Sequence, residues 1–156
     1  KREMKKILFV CHGNICRSPI AEFIMKDKLR KLNLEDEFVV DSCGVSNEET
    51  GNDIYPEAYN TLVKHNILNA SHTARQMSIK DYENYDYIFM MDKSNIRNFT
   101  RLFGSDYKHK IYLITEYIEG IEDIEDPWYT DNFELIFNQL DVAIENILKE
   151  EFGIGE

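Results

Sequence analysis

The chain has 156 residues, 43% hydrophobic and 30% charged, enough apolar material for one globular domain and too much for a disordered chain. Its formal net charge of −11 argues against an extended nucleic-acid or anionic-membrane surface. No apolar run approaches the roughly 20 residues of a membrane span, no secretory leader is visible, and three cysteines (Cys11, Cys16 and Cys43) make a poor disulfide framework, so a reducing, cytoplasmic setting is expected.

Lys1-Arg2-Glu3 precede Met4 and read as an expression remnant, with a single domain over 4–152. Lys5 to Val10 is a short apolar run that breaks at Gly13, which predicts a buried strand. Ser18-Pro19 predicts a helix start, with Ser18 as N-cap and Pro19 in the first helical position, and Ile20, Phe23 and Ile24 form its apolar stripe. Phe38 to Val40 is a second strand ending near Ser42-Cys43-Gly44, and Val45 to Asp53 is a polar loop. Pro56 starts a helix with Ala58, Leu62 and Val63. Tyr87 to Met91 is a third strand, Asp92 to Phe103 a helix closed by Gly104, and Ile111 to Ile114 a fourth strand. Ile118 to Trp128 reads as an acidic loop, and a last helix from about Asp131 to Phe152 carries Ile136, Leu140, Ala143, Ile144 and Ile147 on one face. Alternating strands and helices predict a single α/β domain: a four-stranded parallel sheet flanked by helices on both faces, with ligands at the carboxyl ends of the strands.

The segment that carries chemistry is Cys11-His12-Gly13-Asn14-Ile15-Cys16-Arg17-Ser18, between the first strand and the first helix. In a doubly wound fold this is where a phosphate is bound, because successive backbone N–H groups and the helix N-terminus converge there. It lacks the Gly-Lys-Ser/Thr of a nucleotide-binding loop. It begins instead with Cys11 and closes with Arg17. A thiolate at the loop base suits in-line attack on phosphorus, and an arginine suits bidentate binding of phosphate oxygens. The same positive surroundings favour the thiolate, the nucleophilic form. Ser18 is spaced to donate its hydroxyl to the Cys11 sulfur. A lone cysteine at a strand end is ordinarily a small buried residue; here Arg17, Gly13, Asn14, Ser18 and Pro19 accompany it in a strand–loop–helix context.

A leaving alkoxide or tyrosinate needs a proton. Asp126, in Asp126-Pro127-Trp128-Tyr129, is the candidate donor, and the two aromatics suit a cleft wall. By the residues alone Asp126 reads sooner as a surface carboxylate beside Glu122, Asp123 and Glu125.

From Met4 to about Leu148 the chain resembles the low-molecular-weight protein tyrosine phosphatase family. Val10-Cys11-His12-Gly13-Asn14-Ile15-Cys16-Arg17-Ser18-Pro19 and Asp126-Pro127 match that family's loop and its C-terminal Asp-Pro pair in order. Asp41-Ser42-Cys43-Gly44, Ala74-Arg75-Gln76 and Met91-Asp92-Lys93-Ser94-Asn95 are similar to further family blocks. The resemblance implies hydrolysis of phosphotyrosine in proteins or peptides through a phosphocysteine on Cys11, releasing inorganic phosphate. Arg17 and the loop from His12 through Gly13, Asn14, Ile15 and Cys16 would hold the phosphoryl group, and Asp126 would act as general acid and then base. Asn14, Ser18, Ser42 and His72 would support the loop. It also implies a Cys11–Cys16 disulfide that shields the nucleophile from over-oxidation; Cys16 reads alternatively as packing beneath the loop, and Cys43 as a core residue. No cofactor or metal is expected, since Arg17 and the amides supply the positive field and His12, His65 and His109 lack metal-ligand spacing. A monomer is the expected state.

Departures from the family bear on specificity. His12 stands where an aliphatic residue is usual, and Asn47-Glu48-Glu49 replaces a stretch that often carries an aromatic wall. His12, Glu48, Trp128 and Tyr129 are therefore the expected specificity residues. Three rivals mimic this scaffold. Thiol-coupled arsenate reductases need two further downstream cysteines, and none follows Cys43. Protein-arginine phosphatases typically carry Thr where this chain has Ile15. A non-catalytic phosphotyrosine-binding or redox-sensing module would not need Cys11, Arg17 and Asp126 together. The charge distribution sharpens the expectation. Residues 116–156 hold 13 acidic side chains and one basic, Lys149, while residues 1–115 hold 17 basic and 16 acidic. Phosphate capture must then be local, and the acidic part would favour basic flanks in a substrate.

Overall fold

Strand β1 (Lys5–Cys11) sorts the core into two layers by its alternation. Ile7, Phe9 and Cys11 face one layer, with Phe89 and Val40 from the neighbouring strands. Leu8 and Val10 face the other, with Cys43, Ile88 and Met90. The computed structural model describes residues 3–155, so Lys1 and Arg2 of the expected remnant lie outside it. Besides β1 the sheet contains β2 (Phe38–Gly44), β3 (Tyr87–Met90) and β4 (Ile111–Leu113), in the order β2-β1-β3-β4 and parallel at every pairing.

The first layer is completed by α1 (Arg17–Lys31), α2 (Pro56–Lys64) and α6 (Phe133–Phe152), whose Ile20, Ile24, Leu62, Ile136, Leu140 and Ile144 pack on it. The second is completed by α3 (Ile79–Asn84) and α4 (Lys93–Phe103) through Tyr82 and Phe99. The α/β architecture expected from the alternating pattern is the one observed. Because the chain moves outward from β1 to β2 and then returns past β1 to β3, the loops after β1 and β3 diverge and open a crevice at the carboxyl end of the sheet.

Several boundaries differ from the sequence expectation, each for a physical reason. Cys16, not Ser18, is the N-cap of α1. Ser18 lies inside the first turn, where its hydroxyl is drawn to the loop, and Pro19 falls where a helix has orphan N–H groups anyway. The region read as loop up to Trp128 contains a helical turn, α5 (Pro127–Thr130), capped by Asp126. Asp131 then turns left-handed at φ 61°, so the last helix begins at Phe133. Val63 of α2 is exposed while Ala58 and Leu62 are buried. Helix α3 spans six residues, too short for a periodic signal, and is opened by a Ser78/Asp81 capping box.

Candidate active site

Gly44 ends β2 directly against the loop that follows β1: a Cβ there would sit 2.6 Å from the His12 carbonyl oxygen. This close approach lets the chain beyond β2 collect the loop's carbonyls. Val45 N–H donates to Cys11 O and Ser46 N–H to His12 O, both at 3.0 Å. His72 Nε2 donates to Asn14 O at 2.6 Å. Tyr55 N–H takes Ile15 O at 2.9 Å, and Ile20 N–H takes Cys16 O at 3.1 Å. With its carbonyls turned outward, the loop presents amides inward. The N–H groups of His12, Gly13, Ile15, Cys16 and Arg17 meet no acceptor among the described residues. Asn14, at φ 62°, makes the turn that reverses the loop, a conformation asparagine tolerates. The arrangement is an anion nest at the N-terminus of the 15-residue α1.

Cys11 closes the floor of this nest at 3% exposure. The Asn14 N–H points at its sulfur at 3.2 Å, so that amide is committed to the thiol rather than to the nest. Ser18 Oγ lies 3.0 Å from the same sulfur. Asn14 Nδ2 donates to both Ser18 Oγ and Ser42 Oγ at 2.9 Å, and its Oδ1 accepts from the Arg75 N–H at 3.0 Å. All four residues expected to support the loop thus meet on one network. Arg75, which sequence reasoning left without a role, is its fifth member. The Arg75 guanidinium is held in turn by Asp41 and Asp81, at 3.0 and 2.9 Å.

Arg17 is buried, with its side chain 3% exposed. Its Nη1 donates to Asp92 Oδ2 at 2.6 Å and to the Ile124 carbonyl at 2.9 Å, while Nη2 faces Asp126 Oδ2 at 3.6 Å. Burial opposes its charge, but its interactions with Cys11 and Asp92 outweigh it and the guanidinium's pKa is pushed up. Asp92 was not singled out from the sequence. Its position after a buried strand, three residues before Asn95, signals a helix cap, yet nothing local signals a partner 75 residues away. Asp126 caps α5 by accepting the Trp128 N–H at 3.0 Å, which aims its other oxygen at Arg17.

The mouth is a cleft of about 170 Å³ lined by Cys11, Arg17, Glu48, Asp126, Trp128 and Tyr129 among others. Trp128 and Tyr129 are exposed, and Trp128 leans on Tyr55 with ring centroids 5.0 Å apart. Glu48 does reach the rim, where its Oε2 lies 3.4 Å from His12 Nε2. Cys16 is buried beside the nest. Burial, then its interactions with Cys11 and Asp126, push its thiol pKa well up against the opposing Arg17. Cys43 is fully buried in the second layer and its thiol pKa is raised by that burial. A larger groove of about 730 Å³ runs along α1 and residues 66–71 but contains none of these side chains.

Fold and site together define a class: an α/β protein that surrounds a cysteine thiol with inward amides and a buried arginine at the switch point of its sheet. Residues 6–152 match the family model described as low molecular weight phosphotyrosine protein phosphatase. The chain is 40% identical over 149 residues to the low molecular weight phosphotyrosine protein phosphatase of Schizosaccharomyces pombe, covering 92% of this chain and 95% of that protein. It is 40% identical over 141 residues to the protein of the same description from Sus scrofa, covering 86% and 88%. Among solved structures, YfkJ from Bacillus subtilis is similar with a TM-score of 0.90 at 31% identity, covering 100% of this chain and 99% of that one. The chain belongs to the low molecular weight phosphotyrosine protein phosphatase family, a family of hydrolases. No described helix is long and apolar enough to cross a membrane.

Proposed function

We propose that this enzyme hydrolyses phosphotyrosine in proteins through a phosphocysteine intermediate. The observation that carries the reading is the set of loop amides beside Cys11 that no acceptor among the described residues takes, at the N-terminus of α1, because converging N–H groups at a helix start make an anion site. The phosphoryl dianion would take those amides and the outer face of Arg17, with the helix end adding its positive pole. In the first step the Cys11 thiolate forms the S–P bond as the P–O bond to tyrosine breaks, and Asp126 gives its proton to the departing phenolate oxygen. In the second, Asp126 takes a proton from water as the water oxygen bonds to phosphorus. The S–P bond then breaks, releasing inorganic phosphate and the thiolate.

Tyrosine is favoured over a guanidino phosphate by the apolar Ile15 and by the exposed rings of Trp128 and Tyr129 at the rim, and the relatives' descriptions point the same way. Cys16, buried beside the nest, is the partner that would trap an oxidised Cys11 as a disulfide. The test is one assay series on p-nitrophenyl phosphate, phosphotyrosine, phosphoarginine and arsenate, with Cys11→Ser as control. Aryl phosphates should turn over fastest, and Cys11→Ser should be inactive with its unfolding temperature retained. Substantial turnover by folded Cys11→Ser would overturn the nucleophile, and faster phosphoarginine turnover would overturn the substrate.

A further inference from the structure

Glu22 is a carboxylate where one is least expected. It lies 4% exposed on α1, one turn beyond Ser18, close to a site read as binding a phosphate dianion. A buried charge costs several kcal/mol unless partnered, and negative charge near the nest opposes an anionic ligand. Its contacts supply a reason for its presence. Its Oε1 accepts the Ser42 hydroxyl at 2.6 Å, and its Oε2 accepts Lys26 Nζ at 2.6 Å. Ser18, Glu22 and Lys26 thus form an i, i+4, i+8 polar row along a helix whose first half otherwise packs in the core.

From Glu22 the hydrogen bonds run without a gap to the nucleophile: Glu22 to Ser42, Ser42 to Asn14, Asn14 to Ser18, Ser18 to the Cys11 sulfur. Direction matters in such a chain, since a hydroxyl can point its single hydrogen either way. An ionised carboxylate only accepts, so the Ser42 hydrogen must point at Glu22 and the Ser42 oxygen must accept from Asn14. The Arg75 N–H on Asn14 Oδ1 fixes the same amide orientation from the other side. The second Nδ2 hydrogen then goes to Ser18, whose own hydrogen is left to find an acceptor. Two lie within reach, the Cys11 sulfur at 3.0 Å and the Cys43 carbonyl at 3.3 Å. The nearer sulfur, once negative, forms the charge-assisted bond.

We infer that Glu22 is a positioning residue: its buried carboxylate takes the Ser42 hydrogen and so holds the Ser42 oxygen in place as the acceptor for Asn14, fixing the side chain that in turn places Ser18 beside the Cys11 sulfur. The inference rests on Cys11 being the nucleophile. It concerns how the thiolate is held, through groups that never touch substrate. The other charged and titratable groups around the chain are Arg17, Asp92, Asp126 and the Cys16 thiol at its sulfur end, Arg75 with Asp41 and Asp81 beside Asn14, His72 on the Asn14 carbonyl, and Lys26 at its outer end.

Charge and positioning predict opposite signs, which makes the test sharp. Glu22→Leu removes both the charge and the acceptor. Glu22→Gln removes the charge but keeps an oxygen for Ser42. The pH profile of Cys11 alkylation by iodoacetamide is read alongside kcat and KM on p-nitrophenyl phosphate. If Glu22 holds the chain in place, Glu22→Leu moves the alkylation midpoint up by about one pH unit and lowers kcat about tenfold with KM little changed, and Glu22→Gln stays within about twofold of the parent. A downward move in Glu22→Leu, or equal behaviour of Leu and Gln variants, is the signature of charge alone and overturns the inference. Should Glu22→Leu not fold, Ser42→Ala breaks the chain with Glu22 and Lys26 in place and must give the same upward move; an unchanged profile overturns the inference too. Active Cys11→Ser would remove both the nucleophile and the positioning role, whereas inactive Cys11→Ser with an unmoved Glu22 profile removes only the latter.

Discussion

Arg17 Nη1 and Asp92 Oδ2 stand 2.6 Å apart, and the other oxygen of the same carboxylate accepts the Asn95 N–H at 2.8 Å to cap α4. One side chain therefore fastens a helix on the second layer of the fold and orients the guanidinium at the end of the first. The pair is nearly dry on the arginine side, where exposure is 3%, so the contact lies well inside the range where breaking an ion pair is felt.

Asp92→Asn separates these two jobs, because asparagine is a good N-cap but carries no charge. Expected is a loss of about 1.5–3 kcal/mol of transition-state stabilisation, ~10–150-fold in kcat/KM, with the helix cap retained. Asp92→Ala should add about 1 kcal/mol of lost stability by removing the cap. Steady-state kinetics and thermal unfolding on both variants check this. Full activity in Asp92→Asn would show that Arg17 is oriented without the carboxylate.

Asp126→Ala should slow phosphotyrosine hydrolysis by about 10²–10⁴-fold. An ester whose leaving group needs no proton, such as p-nitrophenyl phosphate, should lose much less. Equal losses on both substrates would assign Asp126 to Arg17 alone, its neighbour at 3.6 Å.

Exposing the enzyme to mild peroxide should give a Cys11–Cys16 disulfide: peroxide oxidises Cys11 to the sulfenic acid, the Cys16 sulfur displaces hydroxide, and added thiol restores both. Because the Cys16 pKa is raised, only a small fraction of it is thiolate, so capture should speed up as pH rises. Mass spectrometry that finds sulfinic acid on Cys11 in place of the disulfide would refute the protective role.

Glu48 and His12 are 68% and 46% exposed, so their 3.4 Å pairing is weak and leaves carboxylate facing the approach to the cleft. Phosphopeptides with basic flanks should be preferred at low salt, and the preference should shrink as salt is raised. Glu48→Trp should reduce the preference and lower KM for peptides with acidic flanks. A peptide panel on which Glu48→Trp changes nothing would remove the idea.

Legibility in the sequence followed the range of each interaction. β1, the loop after it and α1 were readable because their signals are adjacent: an apolar run, a glycine, then Ser18-Pro19. Even there the cap was misplaced by two residues. Ser18 obeys a local rule as an N-cap only when nothing else claims its hydroxyl, and Cys11, seven residues back, lies 3.0 Å from it. The α5–α6 boundary was missed because a four-residue turn carries no periodicity, although Asp126-Pro127 is the chemistry of a helix start. Asp92 and Glu22 were missed for a different reason. Each looks locally like a cap or a solvated helix charge, and its partner of consequence, Arg17 or Ser42, lies 75 or 20 residues away.

What the sequence determined by itself was the order of the four strands and of helices α1, α2, α4 and α6, the Cys11-to-Arg17 loop and the location of acidic charge beyond residue 115. These depend on side-chain type and on spacing along the chain. Only the tertiary structure decided that Gly44 passes close enough to turn the loop carbonyls outward, that Asp126 meets Arg17 across 109 residues, and that a buried glutamate stands at the far end of the nucleophile's hydrogen bonds. Those are distances between segments, and they are set by the β2-β1-β3-β4 sheet order and by packing, for which no local pattern of residues is a measure.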